Sequence, residues 1–333
     1  MTPITRIVLA KRPVGEVTLD CFRVETAPLP PLEEGEVEVR ALYLSLDPYM
    51  RPRMSELRSY VPAFALDRPL TAGVVGEVVA SRHGSFAKGD VVLGMLDWAE
   101  RTIVSGKLLR KLDPSLAPLP AYLGVLGMPG YTAYHGMMRI GRPEAGETVF
   151  VSAATGAVGQ VAAQLAKLAG ARVVGCAGSK TKCDHAVSEL GYDACFDHRE
   201  RAAGDALDEL CPKGIDLDFE NVGGEVFHAA FARMNDFGRI VMCGAIAEYQ
   251  DPTPRPGPDK MFTIIQRRLR IEGFIISDHQ AGMGEFLQEV GPLVREGTIR
   301  ANQTIVEGLG NAPSAFLGLL AGENLGKLVV RVG

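Results

Sequence analysis

Ser179, Lys180 and Lys182 can all bind an anion, and they stand close together in the run Ala177-Gly178-Ser179-Lys180-Thr181-Lys182. The run holds two ammonium groups and two hydroxyls and no carboxylate. Shortly before it lies a turn of small residues, Ala153-Ala154-Thr155-Gly156-Ala157-Val158-Gly159. A pyrophosphate can lie against backbone N–H groups at a helix start when no Cβ blocks its approach, a need that Gly156 and Gly159 meet, with Ala157 and Val158 between them. Ammonium and hydroxyl groups can then take a further phosphate through charge-assisted hydrogen bonds, where a carboxylate would repel it. The chemistry is dinucleotide binding, with NADP(H) preferred over NAD(H). The alternative is that the lysines are merely solvated at a helix start and that the small residues only let helix and strand pack.

The elements that must position these groups are legible on either side. Thr148–Ser152 is short and rich in β-branched residues, as a buried strand is. Ala157–Ala169 has helical spacing, with Val161, Leu165 and Leu168 on one face, and Ala171–Cys176 reads as a second strand. Strand, turn, helix and strand in this order make half of a mononucleotide-binding βαβ unit. The turn departs from the G-x-G-x-x-G pattern at its first glycine, where Ala154 stands.

Open α/β sheets bind ligands at the carboxyl ends of their strands. Asn221-Val222-Gly223-Gly224 ends one strand candidate and Cys243-Gly244-Ala245-Ile246-Ala247-Glu248-Tyr249 follows another. The glycines let backbone approach a ring or ribose, and Asn221 offers a donor and an acceptor. Each is also compatible with simple turn chemistry.

Over 333 residues, with 47% hydrophobic residues and a net charge of −5, the prior is two domains with full cores. Mixed charge gives no basic field, so neither nucleic acid nor an anionic membrane is an expected partner. No apolar run approaches a membrane span, and the first residues lack the pattern of a signal peptide. The six cysteines are scattered without a Cys-x-x-Cys, which fits free thiols in a reducing cytoplasm.

In chain order the first third is β-rich, with strands expected at Arg6–Ala10, Phe22–Glu25, Glu36–Leu44, Gly73–Val79 and Asp90–Gly94. Between them, Ser45-Leu46-Asp47-Pro48-Tyr49-Met50-Arg51 contains a turn, with Tyr49 either facing a cleft or packed as an ordinary aromatic. From about Leu123 strands and helices alternate, which predicts a parallel, doubly wound sheet. Further strands are expected at Ala194–Asp197, Ile215–Phe219, Arg239–Cys243 and Leu269–Ile276, and helices at Glu225–Met234 and Gly284–Arg295. Ile305–Gly333 reads as β texture closing on Lys327–Val332, and Asp251–Pro258 as a proline-rich loop able to cover a site.

These segments together carry a family resemblance. Leu44–Arg51, Gly127-Met128-Pro129-Gly130 with Thr132-Ala133-Tyr134, Ala153–Gly159, Glu220–Gly224, Cys243-Gly244, Glu272–Ile276 and Asn324-Leu325-Gly326-Lys327 resemble the zinc-independent medium-chain dehydrogenase/reductases. Within that group the chain is most similar to the prostaglandin reductases and the bacterial NADPH-dependent curcumin and alkenal double-bond reductases. The resemblance implies a GroES-like catalytic domain from residues 1–124 and 300–333, a Rossmann NADP-binding domain over 125–299, and a homodimer. It implies that Gly156–Gly159 holds the pyrophosphate and that Lys182 reaches the 2′-phosphate. Asn221, Cys243, Gly244, Ala245, Ile246, Tyr249, Phe274, Ile275, Ile276 and Asn324 would line the ribose and nicotinamide. Tyr49 and Met128 are candidates for substrate contact, and His198 stands where mammalian relatives have a Tyr near the adenosine.

No metal is expected. Asp47 stands near the place of the first zinc ligand of related alcohol dehydrogenases, Gly76-Glu77 follows Val75 without a His, and the six histidines are spread out. Without a Lewis acid to polarise an alcohol, reduction of an activated C=C fits better. Hydride goes to the β carbon and charge builds on the carbonyl oxygen, where Tyr249 is the candidate donor. The alternatives are a quinone reductase or alcohol/ketone dehydrogenase with the same cofactor, and a protein that binds NADPH without turnover.

Overall fold

A computed structural model describes residues 3–56, 59–249, 257 and 261–333. The chain divides into two compact units, Met1–Leu123 with Gln303–Gly333, and Gly124–Asn302.

The first part of unit 1 is built from strands β1 (Pro3–Leu9), β2 (Phe22–Pro28), β3 (Glu36–Ser45), β4 (Thr71–Ser81), β5 (Val91–Asp97), β6 (Arg101–Ser105) and β7 (Arg110–Lys111), with a short helix α1 (Met50–Arg53). β1 and β2 form an antiparallel pair. Along β3 the alternating Val37, Val39 and Ala41 are buried, as period-two patterning requires of a strand with one face on a core.

Unit 2 opens with α2 (Met128–Tyr134), which runs on into a widened π-type stretch, His135–Gly141. Then β8 (Thr148–Val151), α3 (Gly159–Leu168), β9 (Arg172–Ala177), α4 (Lys180–Glu189), β10 (Ala194–Asp197), α5 (Ala203–Leu210), β11 (Ile215–Glu220), α6 (Gly224–Phe231), β12 (Met234–Met242), α7 (Phe262–Arg267), β13 (Arg270–Gly273) and α8 (Met283–Arg295) alternate. The strands lie in the order β10-β9-β8-β11-β12-β13, all parallel. All of β8 is buried, which is why it reads as an unbroken apolar run. The strand order reverses between β8 and β11, the topological switch point where such sheets bind dinucleotides.

The chain then returns to unit 1 with β14 (Gln303–Glu307), α9 (Ala312–Ala321) and β15 (Lys327–Arg331). The large sheet of this unit runs β14-β15-β3-β4-β5-β7, with β6 also paired to β3. Its core centres on the fully buried Trp98, stacked on Phe22 at 6.0 Å and met edge-on by Phe316 of α9 at 6.2 Å.

Four expectations are corrected. The stretch after Ile305 is not all β, because α9 occupies Ala312–Ala321. Pro313 at its start and Gly322 in the left-handed conformation after its end are helix-boundary residues, and Ala312, Phe316 and Leu319 bury one helical face. The helix expected to reach Met234 ends at Phe231, since Met234 already begins β12. The strand expected over Leu269–Ile276 stops at Gly273, which frees Phe274–Ile276 to leave the sheet edge. Leu168 lies at the end of α3 and is exposed, unlike Val161 and Leu165. The Asp251–Pro258 loop, Gly257 apart, lies outside the described residues.

Candidate functional site

The turn between β8 and α3 is held by backbone and by one buried phenol. Ala153 takes a left-handed conformation, φ 51°, costly for a residue with a Cβ. Gly156 N–H donates to Ala153 O at 2.9 Å, and a Cβ on Gly159 would collide with the carbonyls of Ala153 and Ala154. Tyr192, buried, donates its hydroxyl toward Ala154 O and Gly159 O, both at 3.0 Å. Gly175 makes room for this ring, since a Cβ there would lie 2.5 Å from it. Ala154 in place of the first glycine is accommodated beneath Tyr192. Val158 is the N-cap of α3, so Gly159 opens the helix and Ala157 and Val158 lead into it, while the Gly156 N–H is already held by Ala153 O.

At the end of β9 the two lysines part. Lys180 is turned to solvent and pairs with Asp184 at 2.7 Å, the solvated reading of the sequence. Lys182 is half-buried, and burial, then the neighbouring Arg199 charge, pushes its ammonium pKa down. Ser179 caps α4 by accepting Lys182 N–H at 3.3 Å. The Arg199 guanidinium lies across Gly178, where a Cβ would be 3.2 Å from Nε. Burial and Arg199 also push the His198 imidazole down, so it is neutral at pH 7. Lys182 and Arg199 thus make this edge cationic, with Ser179 and the neutral His198 beside them. The sequence reading missed Arg199, although it stands directly after His198 at the end of the neighbouring strand.

The next two strand ends are strapped together. Cys243 N–H and Gly244 N–H donate to Glu220 O at 2.9 and 3.0 Å, and Ala247 N–H to Val222 O at 2.9 Å. Asn221 spends one side-chain N–H on Ser152 O at 2.8 Å and keeps its second N–H and its carbonyl oxygen for other partners. The buried Glu220 carboxyl accepts from Ser152 Oγ at 2.8 Å, Gly223 N–H at 2.8 Å and Val222 N–H, fixing this turn from behind. Burial pushes the Cys243 thiol up to about 12, so it is a thiol. Ala245 and Ile246 lead to Tyr249, whose hydroxyl lies beside Gly244. Burial raises the Tyr249 pKa. The phenol therefore stays protonated, with an O–H that can donate.

Phe274 packs on His135 at 5.4 Å, and Ile275 and Ile276 follow half-buried. His135 in turn stacks on His279 at 3.9 Å. Met128, at the first position of α2, is partly exposed. In unit 1, Tyr49 rests its ring on the core and its hydroxyl meets Arg53, and burial raises its pKa. Asn324 donates to Gly326 O at 2.7 Å.

Asp47 accepts an ion pair from the buried Lys327 at 3.0 Å and a hydrogen bond from Ser45 Oγ. Among the described residues no three His, Cys, Asp or Glu side chains gather to hold a metal. With an ammonium already on Asp47, this donor set does not fit zinc.

Fold and edge together define a doubly wound dinucleotide-binding protein joined to a β-rich unit. A family model described as the N-terminal domain of oxidoreductase matches residues 5–112, and one described as zinc-binding dehydrogenase matches residues 157–290. The NADPH-dependent curcumin reductase of Escherichia coli is 45% identical over 98% of this chain and 96% of its own length. The NADP(+)-dependent 2-alkenal reductase of Nicotiana tabacum is 43% identical over 91% of this chain and 89% of its own. The structure of CurA from Vibrio vulnificus in complex with NADPH superposes with a TM-score of 0.95 at 41% identity, covering 99% of each chain. The chain belongs to the medium-chain dehydrogenase/reductase family, in the group that holds the curcumin and prostaglandin reductases.

Proposed function

We propose that this protein uses NADPH to reduce the α,β carbon–carbon double bond of enals and enones, curcumin-like and 15-oxoprostaglandin-like compounds included. The observation that carries the reading is the likeness, over nearly the whole chain, to a curcumin reductase and an alkenal reductase that both use this cofactor. The residues fit the group: an amide-lined helix start, glycines at close approach, and a cationic rim for the 2′-phosphate. NADPH, when bound, supplies hydride for the carbon β to the carbonyl. Tyr249 donates a hydrogen bond to the oxygen on which charge develops. Asn221 and the strapped Cys243–Ile246 segment, with Phe274, Ile275, Ile276 and Asn324, line the ribose and nicotinamide. Tyr49 and Met128 contact substrate.

The test is NADPH oxidation over a panel of enals, enones, quinones and secondary alcohols, with NADH in parallel. Turnover on enals and enones with NADPH is the expected result, and a preference for quinones or alcohols would replace the reading. Within it, Tyr249→Phe should lower kcat on an enone by more than tenfold, about 1.4 kcal/mol of barrier. Unchanged kinetics would take Tyr249 out of the mechanism.

We also propose a homodimer through the edge of β13 that no described strand pairs. All four of its residues are exposed, and Met261, Phe262, Ile265 and Ile271 leave apolar surface beside it. Light scattering should give twice the chain mass, and a monomer at micromolar concentration would refute the assignment. Six free cysteines fit a cytoplasmic location. Among the described residues no helix is long and apolar enough to cross a membrane.

A further inference from the structure

Glu220 closes β11 and is fully buried. Three donors converge on its Oε1: Ser152 Oγ–H and Gly223 N–H, both at 2.8 Å, and Val222 N–H. Its main-chain oxygen takes the Cys243 and Gly244 amides at 2.9 and 3.0 Å. One residue therefore fastens the carboxyl ends of three adjacent strands, β8 through Ser152, β11 through its own turn and β12 through Cys243 and Gly244. We propose that Glu220 is the positioning residue for the nicotinamide end of the cofactor, acting through Ser152 and Asn221 on the segment that leads to Tyr249, a role that rests on the NADPH reading of this edge.

The connection runs through hydrogen bonds of fixed sense. Ser152 Oγ gives its only proton to Glu220, so it meets Asn221 N–H, at 2.7 Å, as an acceptor. The same serine sets the Asn221 side chain, which donates to Ser152 O at 2.8 Å. Asn221 O in turn accepts Ile246 N–H at 3.2 Å, and Ile246 O accepts Tyr249 N–H at 3.2 Å. Without the carboxyl the Ser152 proton is free to turn, and the Val222 and Gly223 amides lose their acceptor. Gly223 and Gly224 both stand at positive φ, 76° and 58°, with no side chain to restrict the turn once those bonds are gone. Burying a carboxyl is costly: burial pushes its pKa up, and Oε2 has no hydrogen-bond partner among the described residues. What this side chain adds is reach across to β8, which a turn held by its own residues would not need. The adenosine end stands on other elements, with Ser179 and Lys182 at the start of α4 and Arg199 after β10.

The test compares Glu220→Ala, Glu220→Gln and Ser152→Ala in the full chain. In Glu220→Ala kcat on an enone should fall about tenfold or more, since small misplacement of reacting groups is enough for that. Adenosine 2′,5′-bisphosphate, which carries only the far end of the cofactor, should bind within about twofold of wild type, as an effect confined to the transition state requires. Glu220→Gln keeps an oxygen in the place of Oε1 and should retain about a third of kcat or more. The emission of bound NADPH reads the nicotinamide directly, and should shift in Glu220→Ala and return in Glu220→Gln. Unchanged kcat and emission in a folded Glu220→Ala overturn the proposal. So does a bisphosphate Kd that rises in step with the loss of kcat, because Glu220 would then hold the whole unit rather than one end of the site. Ser152→Ala removes a single hydroxyl and reads the same relay should Glu220→Ala fail to fold: lowered kcat supports the relay, and wild-type kcat overturns it. A failure of the enone reading shows separately, as a wild type without turnover, and the emission of bound NADPH then decides the role of Glu220.

Discussion

Lys327→Met is expected to lower folding stability by about 3–5 kcal/mol, the usual loss when one partner of a buried ion pair is removed. Lys327 is only 1% exposed and its ammonium directs its three N–H groups to Asp47 Oδ1 at 3.0 Å, Leu328 O at 3.0 Å and Leu46 O. Met fills similar space and supplies no donor, so the buried Asp47 carboxylate, Leu46 O and Leu328 O each lose one donor, with Ser45 Oγ still on Asp47 and the Leu46 N–H still on Leu328 O. Asp47→Asn combined with Lys327→Met should recover part of the loss, because the uncompensated charge is the larger cost. Urea denaturation monitored at Trp98, in the core of the same unit, measures both. A loss below about 1 kcal/mol, typical of a solvent-exposed pair, would show that the site is wet.

Lys182→Glu should lower kcat/KM with NADPH by about a hundredfold or more and leave NADH within a few-fold. A hydrogen bond to a charged group contributes about 1.5–3 kcal/mol, and the new carboxylate adds repulsion against the phosphate. The pH dependence has a definite sign. Burial and Arg199 lower the Lys182 pKa, so in the free protein the ammonium is lost below the ordinary lysine range. NADPH affinity should therefore fall as pH rises through that lowered value, while NADH affinity stays flat. Steady-state kinetics with both cofactors across alkaline pH reads this, and parallel profiles would remove Lys182 from the phosphate.

What the sequence made legible was local. The β8–α3–β9 unit was readable because an apolar strand, a small-residue turn and a helical stripe follow one another within a few residues. The strand ends at Asn221 and Cys243 were readable from glycine placement, and the cationic character of the edge at Lys182 from the absence of an acid. What stayed hidden depends on pairs distant in the chain. Arg199 shares its rim with Lys182 only because β10 lies beside β9. Tyr192 supports the glycine turn through its hydroxyl, from more than thirty residues further along the chain. α9 was missed for another reason: its dense apolar residues resemble a strand run, and Pro313 and Gly322 were the only boundary marks.

The joining of β3 to β15 has a consequence for how such a chain can be assembled. Asp47 and Lys327 are 280 residues apart, yet the entropy of closing a loop grows only logarithmically, each doubling adding about 0.6 kcal/mol. An entire second domain can therefore be spliced between these two strands at small thermodynamic cost. Once Gly124–Asn302 has folded, its residues no longer add conformational freedom to the loop, and the remaining search is that of a shorter polymer.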